Sequence, residues 1–355
     1  MFSTGDDHNL AAAVPLCPVF GQCGGCQHQD LSYAAELEHK QKYLEGLFVG
    51  QNIPVEQFEK IVASPKEYHY RSRLDMKFLK VRDGRTFMGF SPLNGKWMIE
   101  VESCPIAMNA ISDFLPQLKK QAIEKIPPKY RNANLVIKTG DDGRIAWGGI
   151  GKRSLKMSVE DFLWTEVAGK RIFYSLDTFF QSNLSILPLI IQRIKDLNIL
   201  DKTTHFYDLY GGVGLFGITL ADEVGRVILI EENVHSIAMA KHNAAYHSFE
   251  HFQIIEGRVE NLYPDFLQNK AASRHVAMID PPRQGLYESV TQAIAQAKNI
   301  SQLLYLSCHP ESLIRDLQIF IKRDWKIKTI IPFDFFPRTQ HIETLVVLEP
   351  GATHD

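Results

Sequence analysis

From residue 184 to residue 348 the chain alternates helical stretches with short runs of β-branched and aromatic residues. Helices are expected over 184–197, from 215, over 236–246 and over 286–298. Strands are expected over 204–209, 227–230, 275–279, 303–307 and 342–348. This alternation constrains the fold more than any other feature. Strands joined through helices run parallel, and a parallel sheet must be covered on both faces. The expected class is therefore α/β with a mostly parallel sheet. Ligands bind such sheets along the carboxyl ends of the strands, so the residues there are read first.

The strand over 204–209 runs into a glycine-rich turn in which Gly212, Gly214 and Gly217 spell G-x-G-x-x-G. Glycine lets the backbone come close to a ligand. Glu231 closes the next strand, where a carboxylate accepts hydrogen bonds from ribose hydroxyls. Dinucleotides and S-adenosylmethionine are held by the same logic, and Asp208, just before the glycines, leans toward S-adenosylmethionine. A purely structural turn is the bland alternative. The strand over 275–279 delivers Asp280-Pro281-Pro282-Arg283 at the same edge. The prolines stiffen the loop and fix the Asp280 carboxylate against the crevice. Amino-group methylases carry an aromatic residue after Asp-Pro-Pro; Arg283 in its place argues against that chemistry.

Cys308 follows the strand over 303–307 and precedes a helix whose apolar face is Leu313, Ile314 and Leu317. A sulfur at a helix N-terminus is expected to favour the thiolate, which makes Cys308 a candidate nucleophile. A buried inert thiol is the alternative. Glu343 leads into the strand at the end of the chain. A carboxylate entering a buried strand is costly unless paired or used, so Glu343 is a candidate general base. A surface position at the strand start is the other reading.

Cys17, Cys23 and Cys26 lie among glycines, with Cys104 far downstream. An odd total of five cysteines argues against a disulfide framework. Three clustered thiols and one distant suit a four-thiolate metal site, and spacing does not separate zinc from an iron–sulfur cluster. A helix is expected over 31–48, capped by Asp30 or Ser32. From residue 68 the period becomes two, with turn signals at 82–85 and 93–96, so 68–103 reads as an antiparallel sheet; a helix follows over 111–126. One face of that sheet carries Arg71, Arg73 and Lys77. Net charge is only −2, yet residues 61–180 hold 20 Lys and Arg against 13 Asp and Glu. A basic segment fits a phosphate-contacting surface, although an ordinary solvated surface explains the charge equally. No apolar run approaches the length of a membrane span, and neither a signal peptide nor a lipidation signal is apparent. A cytoplasmic monomer without a membrane partner is expected. Three units are expected: a cysteine-rich arm and helix over 1–60, a β-rich unit with the basic, phosphate-compatible surface over 61–175, and a cofactor-binding unit over 176–355.

Together these residues resemble the RNA uracil-5-methyltransferase family from Cys17 to Leu348. The resemblance rests on Cys17-x5-Cys23-Gly-Gly-Cys26-Gln27, Phe179-Phe180-Gln181-Ser182-Asn183 and Asp208-Leu-Tyr210-Gly-Gly-Val-Gly214. It continues through Asp280-Pro-Pro-Arg283, Ser307-Cys308-His309-Pro310 with Arg315-Asp316, and His341-Ile-Glu343-Thr344. It implies a Rossmann-like class I methyltransferase domain and a [4Fe-4S] cluster on Cys17, Cys23, Cys26 and Cys104. It also implies that Gln181, Tyr210, Glu231 and Asp280 line the S-adenosylmethionine and uracil site. Three departures stand out. Only sixteen residues precede Cys17, so the small RNA-binding barrel of many members is not expected. Gly211 stands where a Cys is usual, and His309 where an Asn is usual.

The reaction so implied starts with the Cys308 thiolate adding to carbon 6 of uracil, which makes carbon 5 nucleophilic enough to take a methyl group. Glu343 then removes the carbon 5 proton, and Asp280 and Gln181 hold the base edge. The base must leave its stack to reach the thiol. The cysteine set favours 23S ribosomal RNA as substrate, with the transfer-RNA T-loop as the alternative. A nicotinamide-dependent iron–sulfur oxidoreductase would leave Cys308 and Asp280 idle. A non-catalytic RNA-binding protein would leave nucleophile and base unexplained.

Overall fold

The computed structural model describes residues 12–127, 129–149, 161–261, 274–297 and 299–351. The chain start read above, and Lys298 at the expected end of one helix, lie outside them. The order begins α1 (Tyr33–Gly50), β1 (Val55–Phe58), β2 (Arg73–Lys80), β3 (Thr86–Phe90), β4 (Ile99–Glu100), α2 (Asn109–Lys125), β5 (Asn132–Thr139), β6 (Ile145–Gly149), β7 (Leu163–Val167) and β8 (Lys170–Tyr174). It continues α3 (Leu187–Asp196), β9 (Thr204–Leu209), α4 (Leu215–Leu220), β10 (Arg226–Glu231), α5 (Val234–Tyr246), β11 (Phe252–Glu256) and β12 (Arg274–Ile279). The last elements are α6 (Glu288–Ala295), β13 (Gln302–Ser307), α7 (Pro310–Ile321), β14 (Trp325–Phe333) and β15 (Glu343–Pro350).

The large sheet has eight strands in the order β1-β14-β15-β13-β12-β9-β10-β11. All its pairs are parallel except β13 with β15 and β14 with β15, where the chain returns through a hairpin. The central strands are buried almost end to end, as a sheet covered on both faces requires. One apolar core joins Phe206, Met278 and Leu304 to α3 and α4; the other joins Tyr207, Ile279 and Tyr305 to α6 and α7. Leu44 and Phe48 of α1 belong to the second core, so the helix after the cysteine loop packs on the large sheet. Ser32 caps α1 by accepting the Ala35 amide at 3.3 Å.

A second, five-stranded antiparallel sheet runs β4-β3-β2-β5-β6. Leu74, Met76 and Phe78 alternate inward and meet Ile111, Leu115 and Leu118 of α2. Its other face carries Lys77 and Asn134, both exposed and paired across the ladder. A hairpin of β7 and β8 stands apart from both sheets.

Three strands of the large sheet, β1, β11 and β14, have no counterpart among the expected elements. The strand β1 has only Val55 and Phe58 as apolar residues and shows no strand pattern, whereas β14 alternates Trp325 and Ile327 with Lys326 and Lys328, a period-two signal that the reading of the sequence missed. Their pairing is set by neighbours distant in the chain. Among the described residues, no helix is long and apolar enough to cross a membrane.

Candidate active site

The carboxyl ends of β9, β10, β12 and β13 and the start of β15 converge on one crevice. Below its floor the Asp208 carboxylate, 1% exposed, accepts the Gly217 amide at 2.8 Å. Burial pushes its carboxyl up to about 7, helped by Asp280 and Glu231. The chain then turns through Tyr210, Gly212 and Gly214, all with positive φ. Left-handed backbone is why glycines stand here. A Cβ on Gly212 would meet no atom within 4 Å, so the backbone lies open to a ligand. At Gly217 a Cβ would fall 2.9 Å from the Phe252 ring, so the third glycine serves close packing. Glu231 accepts the amides of Gly212, Glu232 and Asn233 at 2.9, 2.9 and 2.7 Å. These bonds fix its carboxylate at the strand end. The Tyr210 hydroxyl donates to Glu260 at 2.9 Å.

Beside this cradle, Gln181 donates its side-chain amide to Asp280 at 2.9 Å. Glu343 is 3% exposed, which rules out the surface position at the strand start. Burial and the neighbouring Asp280 push the Glu343 carboxyl well above its usual range, with Arg283 opposing. Asp280 itself is raised by burial to about 7. Two carboxyls in one another's field share protons, because ionising one raises the other.

The thiolate preference expected for Cys308 is reversed. Burial and the charges of Glu343 and Asp280 push its thiol up to about 12, against the pull of Arg283. The helix N-terminus offers the sulfur little, since α7 begins with Pro310 and the Ser312 amide is spent on the His309 ring at 3.3 Å. The resting residue is a neutral thiol in the field of Glu343 and Asp280.

Arg283 and His341 are functional neighbours that the motifs contained but did not single out. Arg283 acts on Cys308, Glu343 and His341 alike. Burial and then Arg283 push His341 down to about 4, which leaves the imidazole neutral at physiological pH. A further shell holds the loops. Asp316, fully buried, accepts the Leu286 amide and the Tyr305 hydroxyl at 2.8 and 2.7 Å, fixing the chain after Arg283. Lys138, 2% exposed, donates to the carbonyls of Ser175 and Thr178 at 2.9 and 2.5 Å, fixing the turn before Gln181. A mid-strand lysine gives no such signal in sequence.

The other four cysteines lie elsewhere. Cys17, Cys23, Cys26 and Cys104 line one cavity of about 200 Å³, with Arg71 in its wall. Burial pushes Cys26 up to about 12, and the other three thiols add to the shift. Such a set repels itself as thiolates unless a cationic group neutralises it. Among the described residues, no group of three or more His, Cys, Asp or Glu is arranged to hold a metal ion.

Comparison with known proteins addresses the family and the fold. Residues 152–350 match the profile described as tRNA (uracil-5-)-methyltransferase. A protein of Thermotoga maritima named an uncharacterized RNA methyltransferase is 27% identical, over 95% of this chain and 85% of that one. The tRNA (uracil(54)-C(5))-methyltransferase of Schizosaccharomyces pombe is 26% identical, over 94% of this chain and 65% of its own. In fold, the chain is similar to the Pyrococcus abyssi tRNA (uracil-54, C5)-methyltransferase crystallised with S-adenosyl-L-homocysteine. The TM-score is 0.68 at 22% identity, over 91% of this chain and 85% of that one.

Proposed function

The chain belongs to the tRNA (uracil-5-)-methyltransferase family and is an RNA uracil-5-methyltransferase, and from that premise we propose that it methylates carbon 5 of one uridine through a covalent Cys308 adduct. One observation carries the reading: the thiol of Cys308 and the carboxyls of buried Glu343 and half-buried Asp280 act on one another beside the open glycine cradle. Gly212, Gly214, Tyr210, Glu231 and Gln181 would hold S-adenosylmethionine, which supplies a methyl group on a sulfonium.

Asp280 and Gln181 hold the edge of the flipped uracil. The Cys308 thiol gives its proton to the ionised Asp280 as its sulfur bonds carbon 6, leaving Glu343 ionised and an enolate whose carbon 5 takes the methyl group from the sulfonium. Glu343 then takes the carbon 5 proton. The carbon 6–sulfur bond breaks, the 5,6 double bond re-forms, and Cys308 is released. Glu343→Gln is therefore expected to complete addition and methyl transfer and then stall, leaving a protein–RNA adduct that survives denaturation. Product released at the wild-type rate without adduct would move the base to another residue.

Lys77 and Asn134 on the open sheet face, together with exposed Trp97 and Phe179, suit a single-stranded RNA segment. For the target, the four-cysteine set supports 23S ribosomal RNA, and the named relatives support transfer RNA as the second reading. Mass spectrometry of both RNA pools from a deletion strain separates them by which one loses 5-methyluridine. For the cavity that Cys17, Cys23, Cys26 and Cys104 line, the family resemblance of the four-cysteine set favours a [4Fe-4S] cluster over zinc.

A further inference from the structure

The loop over 334–342 leads from β14 straight to Glu343, and it is gripped by the cysteine arm. Phe333 pairs with Glu343 across the hairpin, so this loop is all that separates the end of one strand from the catalytic carboxyl. At its centre Arg338 has φ 69°. Its carbonyl accepts the amides of Gln27 and His28 at 3.0 and 3.1 Å, directly after Cys26. Its own amide donates to Glu36 of α1 at 2.7 Å. Its guanidinium, 5% exposed, donates to the Leu31 carbonyl at 2.8 Å and pairs with Glu67. Lys40 adds a second tie, reaching Asp334 at 2.5 Å and Glu36 at 2.8 Å.

This arrangement is a poor device for stability. A non-glycine residue in left-handed backbone is strained and persists only where its surroundings over-determine it. Buried ion pairs are seldom better than apolar packing of equal volume. Two polar atoms of the network, Glu36 Oε2 and Arg338 Nε, are buried without a hydrogen-bond partner, although Glu36 Oε2 lies 3.6 Å from the Arg338 guanidinium. What the network does supply is a unique position for the loop. Thr339 makes the loop stiff, donating to the Phe336 carbonyl at 2.7 Å and accepting the His341 amide at 3.2 Å. A shift at Arg338 therefore reaches Glu343.

We propose that Arg338 is a positioning residue for Glu343, locking the loop over 334–342 to the cysteine arm so that the carboxyl meets the carbon 5 proton. The proposal rests on Glu343 being the base. Its signature is a defect in one step. Arg338→Met is expected to bind RNA and S-adenosylmethionine within about twofold of wild type and to transfer the methyl group. Release should then slow about tenfold to a hundredfold, as a misplaced catalytic group implies.

The test is a single-turnover assay with methyl-labelled S-adenosylmethionine, resolving denaturation-stable adduct from released product, run beside Glu343→Gln. A raised ratio of adduct to product in Arg338→Met supports the proposal. A wild-type ratio in Arg338→Met, while Glu343→Gln accumulates adduct, overturns it and leaves the base assignment standing. No adduct in Glu343→Gln overturns the base assignment, and the proposal with it. Should Arg338→Met fail to fold, Glu67→Gln removes only the guanidinium partner at the half-exposed end, and its ratio is judged by the same criteria. A merely structural role would lower melting temperature and active fraction while leaving the ratio unchanged.

Discussion

Asp280 holds a carboxyl near 7 because burial opposes its charge, whereas the proposed reaction starts from its ionised form. The two demands conflict, and pH exposes the conflict. An unfolded Asp ionises near about 4, so between there and about 7 the native state holds a proton that the unfolded state has lost. Stability from this group is complete at acid pH and is lost as pH rises through about 7. Asp280→Asn removes that loss. It should abolish methylation yet raise the melting temperature at pH 8 by several degrees, with no gain near pH 4. Thermal unfolding at the two pH values checks it, and an equal shift at both would place the cause elsewhere. Cys308 belongs to the same balance: of the carboxyl neighbours that lift its thiol to about 12, Asp280 is the proposed acceptor of its proton. Cys308→Ala should therefore lose turnover entirely while keeping cofactor affinity within about twofold, since the thiol addresses the base; substantial residual methylation would remove covalent catalysis.

The turn from β9 to α4 shows how an element adapts to its neighbours. A cysteine is usual at Gly211 in the family resembled, yet a Cβ there would lie 2.5 Å from Leu229 Cγ and 3.1 Å from the Asp208 carbonyl. Leu229 on β10 is fully buried and cannot move aside freely. Gly211→Cys should cost about 1–3 kcal/mol by overpacking. Leu229→Val alone is destabilising, as a loss of core volume, yet combined with Gly211→Cys it should recover most of the penalty. Denaturant unfolding of the two single variants and the double measures the coupling; additive penalties would show that the two side chains do not compete.

At the scale of the molecule, the arm that carries three cysteines is joined to the large sheet. Leu44 and Phe48 of α1 enter its core, β1 extends its edge, and the cysteine loop bonds the hairpin that carries Glu343. Cys104 comes from the segment between β4 and α2, so any group shared by the four thiols ties the arm to the smaller sheet as well. Protein purified without oxygen should be brown and carry about four irons per chain. A colourless preparation with one zinc would overturn the cluster and leave the methyltransferase in place.

The sequence by itself determined what depends on short-range pattern. The alternation of helix and strand, the glycine turn with Asp208 and Glu231, Asp280 after its strand and Cys308 before its helix are all local, and each lies where the pattern puts it. Chemistry written into consecutive residues is legible because strand and turn preferences act over a few residues. Tertiary structure alone decided the rest. It recruited β1, whose sequence carries no strand pattern, because its pairing partner β14 supplied what propensity did not. It turned the expected thiolate of Cys308 into a neutral thiol, since burial and charges from distant strands outweigh a helix terminus. It also brought Gln27, Glu36 and Glu67 onto Arg338 from the far end of the chain. Electrostatic environment and long-range hydrogen bonding belong to the assembled fold, and no window of sequence contains them.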